Sequence, residues 1–223
     1  MNKLIITMLT LAAITVTADD MIVKQIPVTP TSKMVLFNGR DLSGWTKVIK
    51  REEGCCPDKT WSVKNKVISC TGQPFGYLMT QKSYADYKLH VEYRWSAKSE
   101  QQNSGIFIHK TGPDDFFLPK AIETQLKEGD AGDFVLLSKA TLNGVENNKN
   151  KRIEKTGQPS EKPFGEWNSV DIIVKADTIK SYVNGVLQNT GKAIYTNAGN
   201  ICLQSEGGPI EFRNITLEPL DKD

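Results

Sequence analysis

Hydrophobic and polar residues alternate in short runs along most of the chain. From Lys88 to Trp95, Leu89, Val91, Tyr93 and Trp95 fall on one side and His90, Glu92 and Arg94 on the other, which is the period of a half-buried strand. Similar segments run over Met34–Asn38, Trp61–Cys70, Ser104–His109, Ala121–Leu126, Trp167–Lys175, Ile179–Val183, Asn200–Gln204 and Ile210–Leu217. Clusters of Gly, Pro, Asn and Asp separate them, and Val183-Asn184-Gly185-Val186 predicts a tight hairpin, because Asn-Gly tolerates the positive φ angles such a turn requires. No long helical stripe and no fixed-period repeat is present, which excludes solenoids and propellers. The pattern predicts an all-β domain, a two-sheet antiparallel sandwich. The polar stretch from Asn143 to Pro163 is too long for a hairpin turn and predicts a solvated surface loop.

The first residues follow a different rule. Met1-Asn2-Lys3 is a short positive start, Leu4 to Val16 is apolar apart from Thr, and Val16-Thr17-Ala18 has the small-x-small form of a signal-peptidase site. The expected organisation is a signal peptide over 1–18 cleaved after Ala18, a linker over 19–33, one domain over 34–218 and a tail over 219–223. The apolar run falls short of the roughly 20 residues a transmembrane helix needs, so export to the periplasm or medium is expected rather than membrane anchoring. Four cysteines, Cys55, Cys56, Cys70 and Cys202, accompany this expectation, with Cys56 and Cys70 the expected pair. Structural zinc is not expected, since there is no Cys-x-x-Cys and the only histidines, His90 and His109, lie in different segments. A net charge of +2 over 223 residues, without a basic stripe, gives no footprint for nucleic acid.

The chemistry-bearing residues collect on the polar sides of the strands: His90, Glu92 and Arg94, then His109, then Glu123 and Gln125, then Gln204. An ordinary wet sheet face accounts for such alternation, with weak surface pairs of roughly 0–1 kcal/mol. The residue types point further. Planar amides, carboxylates and guanidinium groups pair with sugar hydroxyls, and Trp45, Trp61, Trp95 and Trp167 are candidate stacking platforms, although strand Trp is more often core. Glu92 and Glu123 are the carboxylates best placed for acid or base work. No G-x-S-x-G, H-E-x-x-H or phosphate-binding glycine loop is present, so serine, zinc or nucleotide chemistry is not indicated.

Several motifs, taken in order, resemble the 3-keto-disaccharide hydrolase family of concanavalin A-like jelly rolls. They are Leu36-Phe37-Asn38-Gly39-Arg40-Asp41-Leu42-Ser43-Gly44-Trp45, Glu92-Tyr93-Arg94 with Asn103-Ser104-Gly105-Ile106-Phe107, and Ile122-Glu123-Thr124-Gln125-Leu126. Gly165-Glu166-Trp167-Asn168, Val183-Asn184-Gly185, Ile201-Cys202-Leu203-Gln204 and Phe212-Arg213-Asn214-Ile215 complete the set. The resemblance implies a sandwich that holds a sugar on a concave face and cleaves glycosides oxidised to a ketone at ring carbon 3. Such chemistry needs a base for the C2 proton, a group to hold the enolate and an acid for the leaving oxygen. The resemblance implies Glu123 as general base with Glu92 and His109 as competitors, and Arg94 or His109 against the ketone oxygen. It places Gln125, Asn103, Gln204, Trp167 and Asn168 around the sugar. Many relatives carry His where this chain has Glu206 in Leu203-Gln204-Ser205-Glu206-Gly207, which makes Glu206 a candidate acid. On this reading Glu123, Arg94 and His109 project into a single hollow.

The bland readings stand beside these. Asn103-Ser104-Gly105 reads as a turn entering a strand, Arg213 as a partner for Asp41 or another surface carboxylate, and Gly129-Asp130-Ala131-Gly132-Asp133 as a turn rather than a calcium loop. No cofactor is required, although a divalent cation is compatible. A carbohydrate is the expected partner. A non-catalytic carbohydrate-binding module and a conventional glycosidase acting on unoxidised glycosides are the alternative functions.

Overall fold

The computed structural model describes residues 26–50, 57–113, 119–143, 145–146, 151–193 and 195–221. The expected export signal, Cys55 and Cys56 lie outside them. In chain order the strands are β1 (Met34–Val35), β2 (Trp45–Ile49), β3 (Trp61–Lys64), β4 (Val67–Cys70), β5 (Gly76–Thr80), β6 (Tyr87–Trp95), β7 (Gly105–Thr111), β8 (Lys120–Gln125) and β9 (Phe134–Leu137). They continue as β10 (Thr141–Leu142), β11 (Val145–Glu146), β12 (Lys151–Ile153), β13 (Asn168–Lys175), β14 (Thr178–Val183), β15 (Val186–Lys192), β16 (Asn200–Ser205) and β17 (Ile210–Glu218). A single helical turn, Pro57–Thr60, precedes β3.

The strands form the all-β, two-sheet antiparallel sandwich that the alternation predicts. The first sheet runs β15-β14-β13-β6-β17-β4-β3, with β1 also on β17, and the second runs β12-β9-β8-β7-β16-β5-β2. Strand β6 buries Tyr87, Leu89, Val91, Tyr93 and Trp95 and leaves the residues between them half-exposed. Its buried side meets Ile106, Ile108, Ile122, Leu136 and Leu203 of the second sheet in one core. Each such side chain contributes about 1.5–3 kcal/mol on burial.

Several expectations are corrected. Trp61–Cys70 is a hairpin rather than one strand: Asn65 and Lys66 take φ of 52° and 62° and turn β3 back on β4. The Asn184-Gly185 turn joins β14 to β15 as expected, at φ 49° and 80°. The Asn143–Pro163 stretch is not simply solvated loop, because β12 pairs with β9 and the Ser160 hydroxyl donates to Val183 O at 2.7 Å. Cys70 is a free, buried thiol, which burial pushes up to about 11, and its expected partner Cys56 lies outside the described residues.

Because neighbouring strands are antiparallel, the ends of β6, β8 and β16 and the starts of β7, β13 and β17 fall at one end of the sandwich. The connections 96–104, 126–133 and 206–209 therefore gather there. Two of them touch: a methyl group at Gly207 would lie 2.8 Å from Asn103 N, so only glycine fits between them.

Candidate functional site

Strand β8 turns Ile122 into the inter-sheet core, and alternation therefore sends Ala121 and Glu123 to the outer face of the second sheet. Glu123 stands opposite Phe107 of β7, which stands opposite Cys202 of β16. The adjacent row brings Gln125 opposite Gly105, and the Leu203↔Ile106 pairing sets Gln204 beside that glycine. Gly105 is what lets the rows close up. The Glu123 carboxyl folds over its backbone, and a methyl group at this position would overlap Oε1 and lie 2.6 Å from Cδ. Tyr77 packs edge-on against Phe107 at 5.9 Å, and Val48, Met79 and Leu137 complete an apolar floor on this face.

The carboxyl has little to compensate it. Glu123 is 2% exposed, and Oε1 has no hydrogen-bond partner. Burial, followed by repulsion from Glu206, holds Glu123 well above the usual carboxylate range, which favours its protonated form. Burial also raises Glu206, against a hydrogen bond from Gln204 that lowers it. The two carboxyls sit in unequal environments, and the charge of Glu206 adds to the upward shift of Glu123. Asn103 on the adjoining connection has a buried Oδ1 that is likewise unpartnered. Among the described residues no group of three or more His, Cys, Asp and Glu side chains is gathered as a metal site.

The structure does not bring Arg94, Glu92 or His109 to Glu123. Arg94 and Glu92 lie on the outer face of the other sheet. There Arg94 Nε donates to Glu211 at 2.7 Å, while Arg213 Nε and Asn214 Nδ2 donate to Glu92 at 2.6 and 2.8 Å. Glu92, not Asp41, is therefore the partner of Arg213. Asp41 is occupied by Ser43 and Asn38, whose hydrogen bonds hold it down at about 2. His109 is displaced by a bulge in β7, where it takes φ 55° and the register shifts between Ile108 and Thr111. Its ring turns edge-on to Tyr195, which packs against the inter-sheet core, and burial lowers it to about 4, so it is neutral.

The expected sugar contacts divide in the same way. Trp167 carries both Arg94 and Arg213 over its ring, their guanidinium carbons 4.6 and 4.0 Å from the ring centroid. Asn168 accepts from Lys162 N and Asn184 Nδ2 and ties loops together. Gln125 Oε1 accepts the N–H groups of Leu126 and Lys127, capping the turn after β8. Gln204 and Asn103 remain at the carboxyl pair. Trp45, Trp61 and Trp95 are buried, and Trp45 Nε1 donates to Leu36 O. Asp130 and Asp133 both pair with Arg152, so the Gly129–Asp133 segment is a turn and not a calcium loop. Sequence reasoning gave Gly105 a turn role and passed over Tyr77. An isolated glycine inside an alternating strand is the signal of close approach that marks Gly105.

A family model described as the 3-keto-alpha-glucoside-1,2-lyase-like domain matches residues 33–218. Among solved structures, the chain is similar to a Parabacteroides distasonis protein provisionally described as a glycosyl hydrolase. The two are 23% identical with a TM-score of 0.61, over 85% of this chain and 94% of that one. It is also similar to the Bacillus licheniformis β-glucanase (16% identity, TM-score 0.58, 85% and 99% covered) and to the carbohydrate-binding module CBM66 from Bacillus subtilis (14% identity, TM-score 0.55, 78% and 95% covered). These likenesses are of fold, the concanavalin A-like sandwich. No curated protein matches the sequence.

Proposed function

The chain belongs to the 3-keto-alpha-glucoside-1,2-lyase-like family, and from that premise we propose that this carbohydrate-active protein is an exported enzyme that cleaves 3-keto-glycosides by elimination followed by hydration, with Glu123 and Glu206 moving the protons. The observation that carries the proposal is the buried Glu123 carboxyl, folded over Gly105 with an unpartnered oxygen and Glu206 as its charged neighbour.

A ketone at C3 acidifies the C2–H bond. In the resting pair Glu123 holds the proton and Glu206 is the more readily ionised. Transfer of that proton to Glu206 leaves Glu123 as a poorly solvated and therefore strongly basic carboxylate. Glu123 removes the C2 proton, the enolate electrons form the C1–C2 double bond, and the C1–O bond breaks as Glu206 protonates the departing oxygen. The pair is then back in its resting state. Water adds at C1, giving its proton to Glu206, while Glu123 returns a proton to C2, and the product is the free 3-keto sugar. Since Arg94 and His109 lie elsewhere, holding the enolate oxygen and orienting hydroxyls fall to the amides of Gln204 and Asn103.

The test compares matched oxidised and unoxidised glucosides with purified protein. Release of product from the 3-keto substrate, reduced about 10²- to 10⁴-fold in Glu123→Gln, is expected. No turnover, or undiminished turnover in the variant, overturns the mechanism. Cleavage that needs no ketone replaces it with conventional glycosidase action, and sugar affinity without any cleavage replaces it with a binding module. Export is supported by the charged start, apolar run and small-x-small site of residues 1–18; N-terminal sequencing of the secreted form should begin at Asp19.

A further inference from the structure

Phe164 is the only aromatic residue among the exposed large hydrophobic side chains of the described residues, at 37%. It is not a loose tip. Glu166 N donates to Pro163 O at 3.1 Å and Gly165 takes φ 85°, so Phe164 occupies the second position of a tight four-residue turn. Lys98 Nζ sits 5.5 Å from the ring centroid, a cation–π contact. The turn forms the rim of a recess of about 400 Å³ that Phe164 lines together with Trp95, Pro159, Glu128 and Glu161. Its wall is built: Glu161 Oε2 accepts Gly129 N–H at 2.9 Å and Oε1 accepts the Tyr93 hydroxyl at 3.5 Å.

This recess adjoins the carboxyl pair through a short chain of contacts. Glu128 lines both it and a second, more polar recess walled by Ser99, Gln101, Gln102 and Asn103. Asn103 packs on Gly207, the neighbour of Glu206. The amide-rich recess thus shares Glu128 with the aromatic one and reaches, through Asn103, the connection that carries Glu206. A volume of this size, with an aromatic rim and a few fixed polar groups, suits one planar or sugar ring.

We propose that the Phe164 recess is the subsite for the leaving group of the glycoside, and that it selects leaving groups with a ring able to stack. The proposal rests on the carbohydrate reading above and names the substrate class of that site. The hexose being cleaved lies nearer Glu123 and Glu206, the amides of the intervening recess read hydroxyls, and the departing ring stacks on Phe164.

The experiment is a binding titration of the purified protein with 4-nitrophenyl glucoside and methyl glucoside, both unoxidised, so that no turnover is needed. Wild type should bind the ring-bearing glucoside about tenfold more tightly, the value of one good aromatic stack. Phe164→Ala should bring the two affinities together, and Phe164→Trp should keep them apart. No preference in wild type, or the same preference in Phe164→Ala, overturns the subsite. A preference that follows Phe164 while no 3-keto-glycoside is cleaved supports the subsite and removes the reaction. Should cleavage occur, Phe164→Ala should raise KM for the aryl 3-keto-glucoside about tenfold, and an unchanged KM for that substrate overturns the subsite.

Discussion

The two outer faces of this sandwich carry carboxylates in opposite circumstances. On the first sheet every named charge meets its complement: Glu92 with Arg213 and Asn214, Glu211 with Arg94, and Asp171 with His90 at 2.9 Å. Although burial opposes it, hydrogen bonds from Asn214 and Arg213 keep the Glu92 carboxyl below its ordinary range. At the β7–β8–β16 end of the second sheet Glu123 keeps an unpartnered oxygen, Glu206 is the like charge that raises it, and burial lifts both. A paired carboxylate is held in its charged form and has no use for a proton. An unpaired buried one holds or seeks a proton, which is the property acid–base chemistry needs. The residue types on the two faces are alike, and only their neighbours distinguish scaffold from site.

Breaking the second face should cost most. Gly105→Ala inserts a methyl group where the Glu123 carboxyl lies, and displacement of a reacting group by about 1 Å is expected to lower kcat on a 3-keto-glucoside about 10²-fold. Circular dichroism at the assay temperature checks that the variant is folded. Glu123→Gln sharpens the comparison through stability. The folded-state pKa of Glu123 lies above its unfolded value, so wild type carries a penalty that is absent below about pH 4.5 and grows as pH rises. Denaturant unfolding should therefore find the variant more stable than wild type at pH 8, with the difference vanishing near pH 4. The first face should respond weakly. Glu92→Gln is expected to cost about 0–1 kcal/mol, less at high salt, with kcat/KM unchanged. The smallest effect belongs to His90, which Asp171 holds above its ordinary 6.5. Stability from this pair is fully present below that value and is lost as pH rises through the folded-state value, so His90→Gln should matter more at pH 5.5 than at pH 8.5.

The same contrast explains what was legible in the sequence. The first sheet has one wet face, so β6, β13 and β17 print their alternation directly. In the second sheet β5 is buried at every residue from Gly76 to Thr80 and β9 at all but one. A strand covered on both faces loses the period-two signal and reads as an undifferentiated apolar run. The two-sheet sandwich was readable because enough strands kept their pattern, and Glu123 stood out because a carboxylate is conspicuous in such a strand. The misplacement of Arg94 and His109 has two physical causes. Alternation states which side of its own sheet a residue takes but not which sheet, and the bulge at His109 turns a side chain in a way that counting by two cannot anticipate.

Strand β16 belongs to the second sheet and β17 to the first, and the chain crosses between them in the four residues Glu206 to Pro209. That crossing acts as a gauge block. Its length fixes how far Glu206 stands from Glu123, and the fit of Gly207 against Asn103 leaves no slack to absorb a change. Lengthening it by a single residue would separate the carboxyls while sparing both sheets. Redesign for new substrates therefore has to work on the connections around Phe164 and Gln101 and leave this crossing untouched.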